Sequence, residues 1–316
     1  MGLFETGIER LWRLSLLQVS RCYSTQMESP KQRTRTGKSL ASPACRTKPV
    51  NLTQRLAHGF QIRGSYTWGR SIDTNSSTIV GDEFLTSVSS LHVFDLRLDR
   101  ALSDFNVSHT LVIAGTWQIP GPRSLSGPLA WAAKGWEMSA LLKANSGVPF
   151  TPTFGSDGDP LGLNSTDPWT YPNRLSGPGC GSLVNPGNPN HYIKTECFAV
   201  PTAPSNAYYS QYCDPSFTYP TCINLRGNAG RNILIGPGLI NLDFSLAKNT
   251  RIGESFNVQF RAEAFNVFNR ANYQVPPLIN GTDIFDSTGT PNSTSGVLTS
   301  TTTTSRQIQL GIKLIW

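Results

Sequence analysis

Residues Arg226–Tyr273 read RGNAGRNILIGPGLINLDFSLAKNTRIGESFNVQFRAEAFNVFNRANY, and their periodicity decides the fold. Ile240, Leu242, Phe244 and Leu246 alternate with Asn241, Asp243, Ser245 and Ala247. Further on, Phe256, Val258, Phe260, Ala262 and Ala264 alternate with Asn257, Gln259, Arg261 and Glu263. A period of two belongs to strands, whose successive side chains point to opposite faces. Residues 249–254, with Gly253 among them, turn the chain back, so the pair predicts an antiparallel hairpin. One hairpin leaves two environments open. Its apolar face could cover a soluble core, or it could meet lipid while the polar face lines a wet interior.

Composition narrows the choice. The chain has 316 residues, of which 38% are hydrophobic and 15% charged. Globular chains usually carry about 25% charged residues. No apolar run approaches the roughly 18–20 residues of a membrane helix, but a crossing strand needs only about 9–11. Helical membrane spans are thereby excluded and a strand-built wall is not.

The net charge is +7, with Lys31, Arg33, Arg35, Lys38, Arg46, Lys48 and Arg55 near the N-terminus. No aromatic interleaving or nucleic-acid fold accompanies them, so the expectation is a solvated tail and no nucleic-acid partner. Residues 1–48 read as an unmatched, disordered basic segment. They contain no recognisable signal peptide, and Cys45 lacks the apolar stretch that a lipoprotein signal needs.

From residue 49 to 316 the chain reads as one β domain. Strands are expected at Val50–Arg55, Phe60–Ser71, Val107–Ile119, Gly135–Asn145, the two strands of the hairpin, and Arg306–Trp316. Pro120-Gly121-Pro122 stops the third, since proline cannot donate to a ladder. Connections alternate: short near His58, long to Asn106, short to Lys134, very long from Val148 to Gly238, short at the hairpin, long to Ser305. Such alternation fits a transmembrane barrel with short periplasmic turns and long extracellular loops. Long structureless loops are unusual in soluble sandwiches. Trp68, Trp117, Trp136 and Trp316 near strand ends suit interfacial girdles. The predicted fold is all-β: an antiparallel transmembrane β-barrel, here a partial barrel of about seven strands with long extracellular loops.

Six blocks carry a family resemblance: GFQIRGSYTWGRSID, HTLVIAGTWQIP, GWEMSALLKANSGVPFTP, GNAGRNILIGPGLINLDFSLAKNTRI, FNVQFRAEAFNVFNRANY and RQIQLGIKLIW. In this order they resemble the C-terminal part of TonB-dependent receptor barrels, closest to the Oar-like branch that carries a carboxypeptidase-regulatory-like domain. The resemblance implies an outer-membrane location, lipid around the barrel, and uptake of a nutrient such as a siderophore or carbohydrate. It also implies assembly by the barrel-assembly machinery through the last strand, with Trp316 as the signal. A plug domain, a TonB-contacting segment and a barrel of about 22 strands belong to the intact receptor. TonB and the plug are therefore expected partners only there, and the chain is expected to be a fragment. Two rivals stand beside this reading: a non-TonB barrel such as a porin or adhesin, and a secreted soluble all-β binding module.

Chemistry-bearing motifs are few. Cys180, Cys197, Cys213 and Cys222 share the longest loop, without the CxxC pairs of a zinc site. In an oxidising compartment they predict two disulfides, with three connectivities open. Cys22 and Cys45 are expected to have no role. His58, His92, His109 and His191 show no HExxH spacing, and no GxSxG elbow occurs. Gly177–Gly181 and Gly236–Gly238 read as turns. No catalytic residue, metal site or cofactor is expected, and the chain is not read as an enzyme. Asn241, Asp243, Gln259, Arg261 and Glu263 are expected to face the lumen, either touching a plug or substrate path or forming a polar ladder within the wall. Loop aromatics, among them Trp169, Tyr171, Tyr192, Tyr208, Tyr209, Tyr212 and Tyr219, are candidates for stacking on a ligand.

Overall fold

The computed structural model describes residues 13–16, 44–55, 59–76, 96–122, 124, 126–155, 169–201, 227–252, 256–277, 281–286 and 289–315. Its main feature is one antiparallel sheet. In chain order the strands are β1 (Arg13–Leu16), β2 (Ala44–Arg55), β3 (Phe60–Asp73), β4 (His109–Gln118), β5 (Trp136–Asn145), β6 (Leu239–Ile252), β7 (Phe256–Phe265) and β8 (Gln307–Ile315). Spatial order equals sequence order, and each strand pairs with the next. The two-residue strand Ala101–Leu102 adds to the end of β3. β1 and β8 are the open edges.

All seven strands expected from sequence are present, with the hairpin β6–β7 registered from Phe244↔Ala264 to Ile252↔Phe256. Two features exceed the expectation. β2 begins at Ala44 instead of Val50, and β1 pairs with it through Arg13↔Thr53 to Leu16↔Val50. Apart from Pro49, both additions lie within the segment 1–48 that is expected from sequence to be a disordered tail. Ladder hydrogen bonds come from backbone, so the basic, non-alternating run 44–49 can extend β2 without an apolar pattern.

The registers assemble the alternation of each strand into two continuous faces. Row by row, Tyr66 meets Leu111, Leu111 meets Ala144, and Ala144 meets Ile240. Lower on the same face run Gly115, Ala140, Phe244, Ala264 and Ile308. The opposite face runs Gln61, Thr116, Ser139, Ser245, Glu263 and Gln309. No described residue covers the apolar face of β8, where Ile308 is 72% exposed and Ile312 71% exposed.

The short connections gather at one end of the sheet and the long ones at the other. Two of the short turns need glycine. Gly59 (φ +81°) and Gly135 (φ +82°) accept from Gln118 N and Asn249 N on neighbouring strands, so close that a Cβ would strike the partner backbone. Between β4 and β5 a short helix, α1 (Gly127–Ala133), sits at this end.

The buried core lies in the long connections. Phe150, Phe154, Tyr171, Ile193, Leu234 and Ile284 are essentially excluded from solvent, and all belong to the connections β5–β6 and β7–β8. The long loops, expected as irregular, therefore fold together as a unit of their own. Short pairings stitch that unit: Asn173–Arg174 with Phe198–Ala199, Leu234–Ile235 with Pro149–Phe150, and Asp283–Phe285 with Thr153–Gly155.

Candidate functional site

Two places bring polar side chains together. The first is the polar face of β6 and β7. Arg261 and Glu263 lie 3.5 Å apart. Arg261 also donates to Gln259 Oε1 at 3.2 Å, and Gln259 donates to Asn249 Oδ1 at 2.8 Å. Asn241 donates to Asp243 Oδ1 at 2.8 Å, which also accepts the backbone N–H of Asn266 at 2.9 Å. All five residues expected on the lumen side thus share one face, in two clusters. Each cluster is knitted within the wall, by bonds along a strand or across a strand pair. Thr116 and Ser139 extend the same polar surface, 3.3 Å apart on β4 and β5. Such cross-strand pairs hold a sheet surface together and leave it wettable.

The second place was not anticipated. Arg231, in the β5–β6 connection, reaches the end of β3 and the β3–β4 connection. Its guanidinium pairs with Asp73 and, at 3.1 Å, with Asp104. It donates further to the backbone carbonyl oxygens of Asp99 and Asp73, each at 3.2 Å. The Arg231 side chain is 1% exposed. Burying one guanidinium is tolerable because carboxylates and carbonyls satisfy its fork of donors. Next to it Asn232, at φ 56°, accepts from Thr151 Oγ1 at 3.1 Å while its own N–H donates back at 3.0 Å. Asparagine is among the few residues that take this backbone readily.

The third long connection is tied to the same unit. Thr153 Oγ1 donates to Asp283 Oδ1 at 2.5 Å and lies 3.0 Å from Thr282 Oγ1. Tyr192 N donates to Gly296 O at 2.9 Å, and Leu298 N to Pro189 O at 2.8 Å. Ser71 and Asp73, through which the cap grips β3, sit at odd positions with Ser65 and Thr67, so the cap is anchored on the polar side. Three connections far apart in sequence thereby close one end of the sheet.

Cys180 and Cys197 form a disulfide inside this cap, with a sequence separation of 17. Cys213, Cys222 and the last residue, Trp316, lie outside the described residues. Cys45, expected to have no role, is disulfide-bonded. Tyr171 and Tyr192, counted from sequence among ligand-stacking aromatics, are buried at 0% and 2% exposure, so their rings belong to the core of the cap. The Tyr192 hydroxyl donates to Ile235 O at 2.8 Å, and burial pushes its pKa up to about 12.

Arg231 left a faint sequence signal: a lone cation in the otherwise uncharged, glycine-rich run GNAGRNILIGPG. Its partners Asp73 and Asp104 carry none, because nothing local marks a carboxylate that meets a residue more than a hundred positions away.

Comparison with curated proteins and with solved structures gives no match. The family model described as outer membrane beta barrel domain matches residues 48–309. It spans β3 to β7 in full, two thirds of β2 and the start of β8, as well as the three long connections. A sheet in strict up-and-down order, apolar on one face, polar on the other and capped at the long-loop end, has the features that such a domain requires. The chain belongs to the outer membrane beta barrel domain family.

Proposed function

We propose that the chain is the C-terminal part of a TonB-dependent receptor barrel of the Oar-like kind, and that the intact receptor takes up a nutrient ligand across the outer membrane. The observation that carries this reading is the order of the six sequence blocks, which follow one another along β3 to β8 as in those receptors. The apolar face then meets lipid, the polar face meets the lumen or a plug, and the long connections lie outside the cell. The last strand, ending at Trp316, hands the chain to the barrel-assembly machinery. TonB and a plug act on it only within the whole receptor, and the chain itself catalyses nothing.

A second reading, a porin-like or adhesin-like barrel without TonB coupling, fits the matched family description equally well, since that description names an outer-membrane barrel. The two separate on one experiment. Peptides from Phe256–Arg270 locate the native product in the outer-membrane fraction, and its intact mass and upstream sequence are read. A product well above 34.5 kDa that carries a plug domain supports TonB coupling. A mature product of any length without a plug contradicts it and leaves the second reading.

A further inference from the structure

The apolar face has one unsatisfied concentration of charge. From β2 to β8 that face holds no aspartate or glutamate, and its cations lie only at the ends. At the short-connection end the cation is Lys248. It donates to the carbonyl oxygens of Trp131 and Lys134, and lies 5.6 Å and 5.7 Å from the Trp131 and Trp136 rings. That charge is fully employed.

At the other end the cations are Arg46, Lys48 and Arg70, all exposed. Arg46 and Arg70 stand directly opposite each other across β2 and β3. Like charges so placed destabilise a sheet. Neither arginine has an ion-pair partner among the described residues. Lys48 lies 6.0 Å over the Trp68 ring, at the level where indoles mark a membrane interface. Between β3 and β4, Tyr66 Oη and His109 Nδ1 are 2.8 Å apart. Beside His109 the same face opens into a mainly apolar recess of about 260 Å³, lined by Leu111, Ala144, Leu239 and Ile240 together with His109 and Arg270.

We propose that this rim binds the phosphate-bearing headgroup of an anionic lipid in the leaflet next to the long connections. Two opposed guanidiniums form a fork-lined gap that a phosphate fills with charge-assisted, bidentate hydrogen bonds. The anion removes the repulsion that the bare pair suffers. Clustered basic residues beside an apolar band are drawn to anionic headgroups. The adjoining apolar recess, open toward the lipid side, suits an acyl chain and not a hydrated solute. The inference rests on the outward orientation of the apolar face and is independent of TonB coupling.

The test is native mass spectrometry of the full chain in non-ionic detergent. The probes are bis-phosphorylated lipid A, the same lipid stripped of both phosphates, and phosphatidylcholine. The phosphorylated lipid is expected to be retained preferentially. The triple variant Arg46→Gln/Lys48→Gln/Arg70→Gln is expected to weaken that retention roughly a hundredfold, at about fivefold for each basic residue. Lys143→Gln, which removes a cation from the polar face, is expected to leave retention unchanged. Equal retention of the three lipids, or equal losses in both variants, overturns the proposal.

A second arm needs no variant: raising salt from about 50 mM to about 500 mM should weaken retention of lipid A by the unaltered protein several-fold. Retention indifferent to salt overturns the proposal too. Displacement of lipid A by inorganic phosphate alone would assign the site to a free anion and also overturn it.

Discussion

Arg231 and Asp104, 127 residues apart in sequence, form an ion pair of 3.1 Å with their side chains 1% and 2% exposed. With Asp73 completing the cluster, one cation from the second long connection holds the first connection against the end of β3. Together with the buried core and the Cys180–Cys197 bridge, the pair gives loops rich in Pro, Gly and Asn a defined shape.

Removing one partner of such a pair strands buried charge. Arg231→Met is predicted to cost about 3–5 kcal/mol, because Asp73 and Asp104 lose their counter-charge together. Urea titration followed by proteolysis within 149–201 reads the loss. In an Asp73→Asn/Asp104→Asn background the same substitution should cost clearly less.

The Cys180–Cys197 bridge closes a loop whose ends are 17 residues apart. Loops of about that length lose about 3 kcal/mol of unfolded-state entropy when closed. The double change Cys180→Ser/Cys197→Ser, which leaves the Cys45 bridge untouched, should therefore lower the urea midpoint of the cap while the sheet keeps its β-type circular dichroism.

Tyr192 gives the cap an alkaline limit. Its phenol ionises at about 12 when folded, because burial disfavours the charged form. An unfolded tyrosine ionises near 10, so the folded state holds the proton more tightly. Stability from this group is complete below about pH 10 and is lost as pH rises from about 10 to about 12. Phenolate absorbance should show late-titrating tyrosine, and Tyr192→Phe should reduce that late step by one group.

Most of the sheet is legible in the sequence because membrane-spanning strands advertise themselves by alternation. Phe256/Val258/Phe260 against Asn257/Gln259/Arg261 fixes both the strand and its faces. The extension of β2 is silent for the opposite reason: Arg46 and Lys48 occupy the face that holds Val50 and Leu52 further down, so the apolar mark stops while the ladder continues. The polar wall around Asn241, Asp243, Gln259, Arg261 and Glu263 could be placed on one face from parity alone. Which partner each residue takes depends on register, which parity does not supply. The cap is legible only in its cysteines, of which Cys180 and Cys197 pair, and in the lone charge of Arg231. Its core, including Phe150, Tyr171 and Ile284, comes from isolated apolar residues at no regular spacing, brought together only by long-range folding.

Neighbouring positions on β6 face opposite ways, so they should respond oppositely to charge. Phe244→Arg places a cation on the lipid side near the strand centre and is predicted to cost about 2–4 kcal/mol. Ser245→Arg, one residue on, points to the polar side and should cost far less. Folding yield in detergent-solubilised lipid, measured by urea titration, compares the two directly.

The central claim is that the unbroken apolar face meets lipid while its reverse is wet. A nitroxide scan at successive positions 240–247, in the protein reconstituted into bilayers, tests it most directly. Oxygen, which partitions into lipid, should reach 240, 242, 244 and 246 best, and a water-soluble nickel reagent should reach the odd positions best. Equal access of both reagents at every position, or stable recovery of the protein in water without detergent, would contradict the account.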